Sequence, residues 1–146
     1  MNTAPEPLPA PWVLDVSILA EVARGDARTM TLVQELDGRG RPLVIPALAV
    51  TGAALDVRSD EAADLLEGLE RLENAMTAPL QGAEQPTRLA AVITRTGLDP
   101  WDAHVAVVAD TSVCPILTLN AAKWRQHAGD LEDRLHFIEI ADLDRG

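Results

Sequence analysis

A chain of 146 residues, 47% hydrophobic and 24% charged, has the size and make-up of one globular domain with a sizeable core. Its apolar stretches are broken well before the roughly 20 residues needed to cross a bilayer, and no basic segment followed by an apolar core suggests an export signal. The formal net charge of −11 argues against broad, non-specific nucleic-acid binding, which depends on Lys and Arg neutralising phosphates, but is compatible with an acidic site that uses metal cations.

Residues 1–11 form a proline-rich leader, with proline at every second position from Pro5 to Pro11, a pattern that favours extended backbone. Residues 12–146 are expected to make a single domain. Trp12 to Asp15 predicts a short strand, followed by a helix with Ser17 as candidate N-cap and Ile18, Leu19 and Val22 at helical spacing. Gly25 ends that helix, and Asp26 caps another whose apolar side is Met30, Leu32, Val33 and Leu36. After a loop over 37–42, Leu43-Val44-Ile45 predicts a buried strand and residues 47–55 a helix.

Ser59-Asp60-Glu61 opens a longer amphipathic helix with either Ala63, Leu66 and Leu69 or Leu65, Leu72 and Met76 facing inward. An edge strand over 77–80 and a helix over 84–96, stopped by Gly97, come next. Asp99-Pro100 is a strong helix start, because Asp caps well and Pro at the first helical position loses no needed N–H. Strand 115–119, helix 121–128 and strand 136–140 complete the pattern. Alternating strands and helices imply a parallel sheet with helices on both faces.

In such a sheet ligands bind outside the carboxyl ends of the strands, where residues distant in sequence converge. Asp15 follows the first strand, Asp102 heads a helix and Asn120 follows the late strand. Two carboxylates and an amide oxygen suit a hard cation such as Mg²⁺ or Mn²⁺. Each has a plain structural alternative: Asp15 and Asn120 as helix caps, and Asp102 as the acid of a capping-box-like turn.

Three segments carry a family resemblance: Leu14-Asp15-Val16-Ser17, Asp102-Ala103-His104, and Pro115-Ile116-Leu117-Thr118-Leu119-Asn120. In order and spacing they resemble the motifs of the PIN domain, the nuclease fold of VapC-type toxins, over nearly the whole chain after Pro11. The resemblance implies a three-layer α/β/α fold around a central parallel sheet of about five strands. It also implies an endoribonuclease in which Mg²⁺ or Mn²⁺ activates water, with Asp15 and Asp102 as metal ligands. Asn120 would be a weaker ligand or water positioner, and Ser17 and Thr118 hydrogen-bonding supports. An RNA substrate, an antitoxin-like protein partner and a homodimer follow from the same resemblance.

The sequence departs from the pattern in three places. Thr51 or Gly52 stands where the family has a glutamate, and the next carboxylate, Asp56, lies more than a helical turn further on. Asn120 replaces a common Asp, and the nearby Lys123 opposes metal binding. Asp99 could compensate if it is not consumed as a cap. These departures keep open a second reading, a catalytically inactive PIN-like module that binds a protein or RNA partner. A receiver-like or nucleotide-binding domain is disfavoured, since no acidic pair precedes Asp15 and no Gly-rich phosphate loop is present.

Elsewhere, Cys114 reads as a core thiol in a cytoplasmic protein. His104 reads as a packed residue, and Trp12, Trp101 and Trp124 as core rather than base-stacking groups. Arg39, Arg41, Arg88 and Arg95 are candidates for phosphate contacts, with surface solvation as the default. Eleven arginines stand against one lysine, Lys123, a bias that suggests a high-GC bacterial coding sequence.

Overall fold

The computed structural model describes residues 9–127 and 136–140, so most of the proline-rich leader, the last residue of the helix expected over 121–128 and the acidic tail lie outside the described residues. The described chain runs β1 (Trp12–Leu14), α1 (Val16–Ala23), α2 (Ala27–Gly38), β2 (Leu43–Pro46), α3 (Ala47–Val57), α4 (Asp60–Gly68), β3 (Ala75–Ala78), α5 (Glu84–Thr96), α6 (Pro100–Ser112), β4 (Ile116–Thr118), α7 (Ala121–His127) and β5 (Phe137–Glu139). All strand pairs are parallel, in the order β3-β2-β1-β4-β5. This is the α/β/α arrangement expected from the alternating pattern.

Local chemistry accounts for the element boundaries. Every residue of β2 is buried, as in a parallel strand covered on both faces. Asp26 caps α2 by accepting from the Thr29 N–H at 3.0 Å, and Ser59 caps α4 by accepting from the Ala62 N–H at 3.0 Å. Gly97 ends α5 with a left-handed φ of 73°, a conformation that glycine adopts without a Cβ penalty.

Three expectations need correction. The edge strand lies at Ala75–Ala78 rather than 77–80, because α4 stops at Gly68 and a 3₁₀ turn over Leu69–Arg71 feeds the chain into the sheet early. Leu72 and Met76 therefore do not extend the apolar face of α4, and Met76 is exposed. The first helix begins at Val16, one residue before the proposed Ser17 cap, and Asp15 itself is the N-cap.

The core joins the sheet to α1, α3 and α6 through fully buried Val13, Leu14, Ile18, Leu19, Leu43, Val105, Ile116 and Leu117. Helix α3 packs against both α1 and α6. From β1 the chain crosses to β2 on one side, whereas β4 lies on the other side of β1 and is entered from β3. The gap between the carboxyl ends of β1 and β4 is thus the switch point at which α/β sheets bind ligands.

Candidate active site

Asp15 leaves β1 at this switch point and is 1% exposed. Its two oxygens receive four hydrogen bonds. Oδ1 accepts from Ser17 Oγ at 2.6 Å and the Ile18 N–H at 3.1 Å, and Oδ2 accepts from Thr118 Oγ1 at 2.5 Å and Trp124 Nε1 at 2.9 Å. The carboxylate thereby ties together β1, the first turn of α1, the end of β4 and the core face of α7. Such a set of donors satisfies both oxygens of the buried carboxyl group.

Asp102 enters from α6 and is 3% exposed. Its Oδ2 meets Lys123 Nζ at 2.5 Å, and its Oδ1 is buried with no hydrogen-bond partner among the described residues. Burial raises the carboxyl pKa above the ordinary aspartate value; Lys123 pulls it back down, while the nearby charges of Asp15 and Asp99 push it up. Asp15 and Asp102 are thus near enough to interact electrostatically.

Asn120 is exposed, and its Oδ1 accepts from the Lys123 backbone N–H at 3.3 Å, the geometry of a helix cap on α7. Asp99 sits at the N-cap position of α6 but makes no side-chain cap bond. Ser17 and Thr118 both support Asp15. Ser17 Oγ also accepts from the Leu119 N–H at 2.9 Å, and Thr118 Oγ1 from the Asn120 N–H at 2.9 Å. Trp124 was read from the sequence only as core; it is core, and it is also a donor to Asp15.

Where the sequence resemblance places an acid, Thr51 is exposed with its hydroxyl donated back to the Ala47 carbonyl at 3.4 Å. Gly52 is buried against Trp101, and a Cβ there would lie 2.6 Å from Trp101 Cγ and 2.8 Å from its Cβ. The indole fills the room a larger side chain would need. Gly52→Ala is expected to destabilise the protein by about 1–2 kcal/mol in urea unfolding, the overpacking outweighing the gain in helix propensity. A more stable variant would show that Trp101 moves aside freely. Asp56 does not replace the missing acid, because its carboxylate pairs with Arg24.

A crevice of about 570 Å³ opens over this region, lined by Ser17, Gly52, Leu55, Trp101, Leu119 and Lys123 among others. Among the described residues no group of three or more His, Cys, Asp or Glu is placed to hold a metal ion. The donors that do converge, two carboxylates with one free buried oxygen, are hard oxygen ligands of the kind Mg²⁺ and Mn²⁺ take, in a reduced number. His104 lies apart, buried, with Nδ1 accepting from the Leu48 N–H at 3.2 Å and burial holding its pKa below the ordinary value. Cys114 is buried too, which raises its thiol pKa. Arg41 stacks over the Trp12 ring at 4.1 Å, and Arg88 and Arg95 line a separate groove between α5 and α6.

Comparison with known families matches the PIN domain to residues 12–136. Among solved structures, the chain is similar to VapBC2 from Rickettsia felis bound to a DNA fragment from their promoter, with TM-score 0.59, 13% identity, and coverage of 88% of this chain and 98% of that one. It is also similar to PAE2754 from Pyrobaculum aerophilum, with TM-score 0.55, 20% identity, and coverage of 93% and 88%. Comparison with curated proteins found no match. At these identities the solved structures speak for the fold.

Proposed function

The chain belongs to the PIN domain family, and from that premise we propose that it is a divalent-metal-dependent endoribonuclease of the VapC-toxin type, with activity weakened by a reduced ligand set. The observation that carries this reading is that Asp15, at the β1/β4 switch point, and Asp102 are near enough to interact electrostatically, with Asp102 Oδ1 buried and, among the described residues, unpartnered. A buried carboxylate oxygen without a donor is costly and points to a missing positive group. Asp102 and Asp15 would hold the ion, and Asn120 would reach it after giving up its cap. When bound, Mg²⁺ or Mn²⁺ lowers the pKa of a ligated water and neutralises charge developing on the phosphodiester. Asp15, fixed by four donors, sets the geometry. Ser17 and Thr118 hold it in place from both sides.

The VapBC2 relative, by its description bound to a fragment of promoter DNA, supports an antitoxin-like protein partner. RNA as substrate and a homodimer follow from the family. No helix among the described residues is long and apolar enough to cross a membrane, which fits a cytoplasmic enzyme. A second reading, a metal-free PIN module that binds a protein or RNA partner, is favoured by the Lys123–Asp102 ion pair and by the glycine under Trp101.

Labelled RNA separates the two. The nuclease reading expects slow cleavage with Mn²⁺ or Mg²⁺, none with a chelator, and a loss of about 100-fold or more in Asp102→Asn. Cleavage that is equal in the variant, or that persists in chelator, would sink it.

A further inference from the structure

Lys123 is the only lysine in a chain that otherwise uses eleven arginines, and it is placed where the metal would have to act. Its ammonium lies 2.5 Å from Asp102 Oδ2 and 5.9 Å from the centroid of the Trp124 ring, while the Trp124 indole N–H donates to Asp15. The ammonium is therefore paired with Asp102 and lies beside the ring whose N–H serves Asp15. Lys123 lines the crevice, whereas Asp102 is almost wholly buried. The position also runs against local preference: Lys123 is the third residue of α7, in a first turn whose free N–H groups disfavour a positive charge. The ion pair with Asp102 is what offsets that. Lysine suits the place because its ammonium is a compact point charge, where a guanidinium would need a planar, forked partner.

We propose that Lys123 is the resident cation of this site, a built-in lock that holds Oδ2 of Asp102 and competes with a divalent ion for that carboxylate. The inference rests on the metal-dependent reading above. An ammonium neutralises Asp102 in the metal-free protein, so the free enzyme does not carry two uncompensated buried acids. The same contact subtracts from metal affinity, since an ion on the Asp102 carboxylate would stand beside a like-charged ammonium already paired with it. Asn120 contributes by position: its cap on the Lys123 N–H fixes the turn from which the side chain reaches back.

The lone lysine makes the test specific. Protein labelled with isotopic lysine gives one side-chain ammonium signal, recorded while Mg²⁺ is added, and calorimetry with Mg²⁺ and Mn²⁺ is run on wild type and Lys123→Met. The lock expects the ammonium signal to lose its ion-paired character as metal saturates, and Lys123→Met to bind metal about tenfold tighter or more. Metal saturation with an unchanged ammonium signal, or equal affinity in Lys123→Met, overturns the lock and leaves the metal-dependent reading standing. No metal binding in either protein overturns that reading, and the lock with it. Binding in Lys123→Met alone supports the lock in its strongest form. Because the ammonium signal is read on the wild type, a poorly folding variant does not remove the test.

Discussion

Asp15→Ala is expected to lower stability by about 3 kcal/mol and to abolish any metal-dependent activity. The carboxylate is 1% exposed and serves four donors, so its removal strands several polar groups at once. The most costly of these is the Trp124 indole N–H: the side chain is fully buried, and an indole nitrogen has no second acceptor to turn to. The Ile18 N–H loses its cap at the start of α1, worth about 1 kcal/mol by itself. Ser17 and Thr118 can rotate their hydroxyls and recover part of the loss. Urea unfolding measures the difference directly. A loss below about 0.5 kcal/mol would mean that the network around Asp15 contributes nothing to the fold.

Asp102→Asn should separate chemistry from stability. Among the described residues Asp102 accepts from Lys123 alone and has one unpartnered buried oxygen, and its pKa is raised chiefly by burial. A carboxyl whose folded pKa lies above its unfolded value contributes stability that is complete below the unfolded pKa and is lost as pH rises through the folded pKa. At neutral pH the ionised group therefore costs stability, and the neutral amide removes that cost. The variant is expected to be as stable as wild type or about 1 kcal/mol more stable at pH 7, with the advantage shrinking as pH falls through the raised folded pKa and gone below the ordinary aspartate pKa. Metal binding and RNA cleavage should both be lost. A variant destabilised by several kcal/mol would show instead that Asp102 is kept for its structural ion pair.

The two acids thus make different demands, and only one of these was legible in the sequence. That Asp15 and Asp102 converge follows from strand–helix alternation, because chain crossings in a parallel sheet bring carboxyl ends together. The sheet was read from the short apolar runs at 12–15, 43–45 and 115–119, each ended by a polar residue or proline. The edge strand was misplaced because Ala75–Ala78 carries no alternating pattern, with Met76 exposed, and its position is set by pairing with β2. The hydrogen bonds to Asp15 could not be read either. A tryptophan at 124 fits a core residue equally well whether or not its N–H finds an acid, and the spacing of Ser17 and Thr118 across the chain gives no distance. Gly52 under Trp101 shows the same limit: the missing glutamate was visible, but not the indole that fills its place.

Lys123 was legible as an obstacle to metal binding, since a cation near an acid site is unfavourable wherever it points. Its direction was not, because a lysine in the first turn of a helix normally extends into solvent. The contact with Asp102 depends on the relative placement of α6 and α7, which the tertiary packing decides.

The most direct measurement is a calorimetric titration of Mn²⁺ into the metal-free protein at neutral pH, with Asp102→Asn as the paired control. Binding by wild type that disappears in Asp102→Asn, while both remain folded, is the result expected of a PIN-type nuclease with its site at the β1/β4 switch point. Identical heats for the two proteins, or no binding by either wild type or Lys123→Met, would contradict it and leave a PIN fold whose work is done by a binding surface.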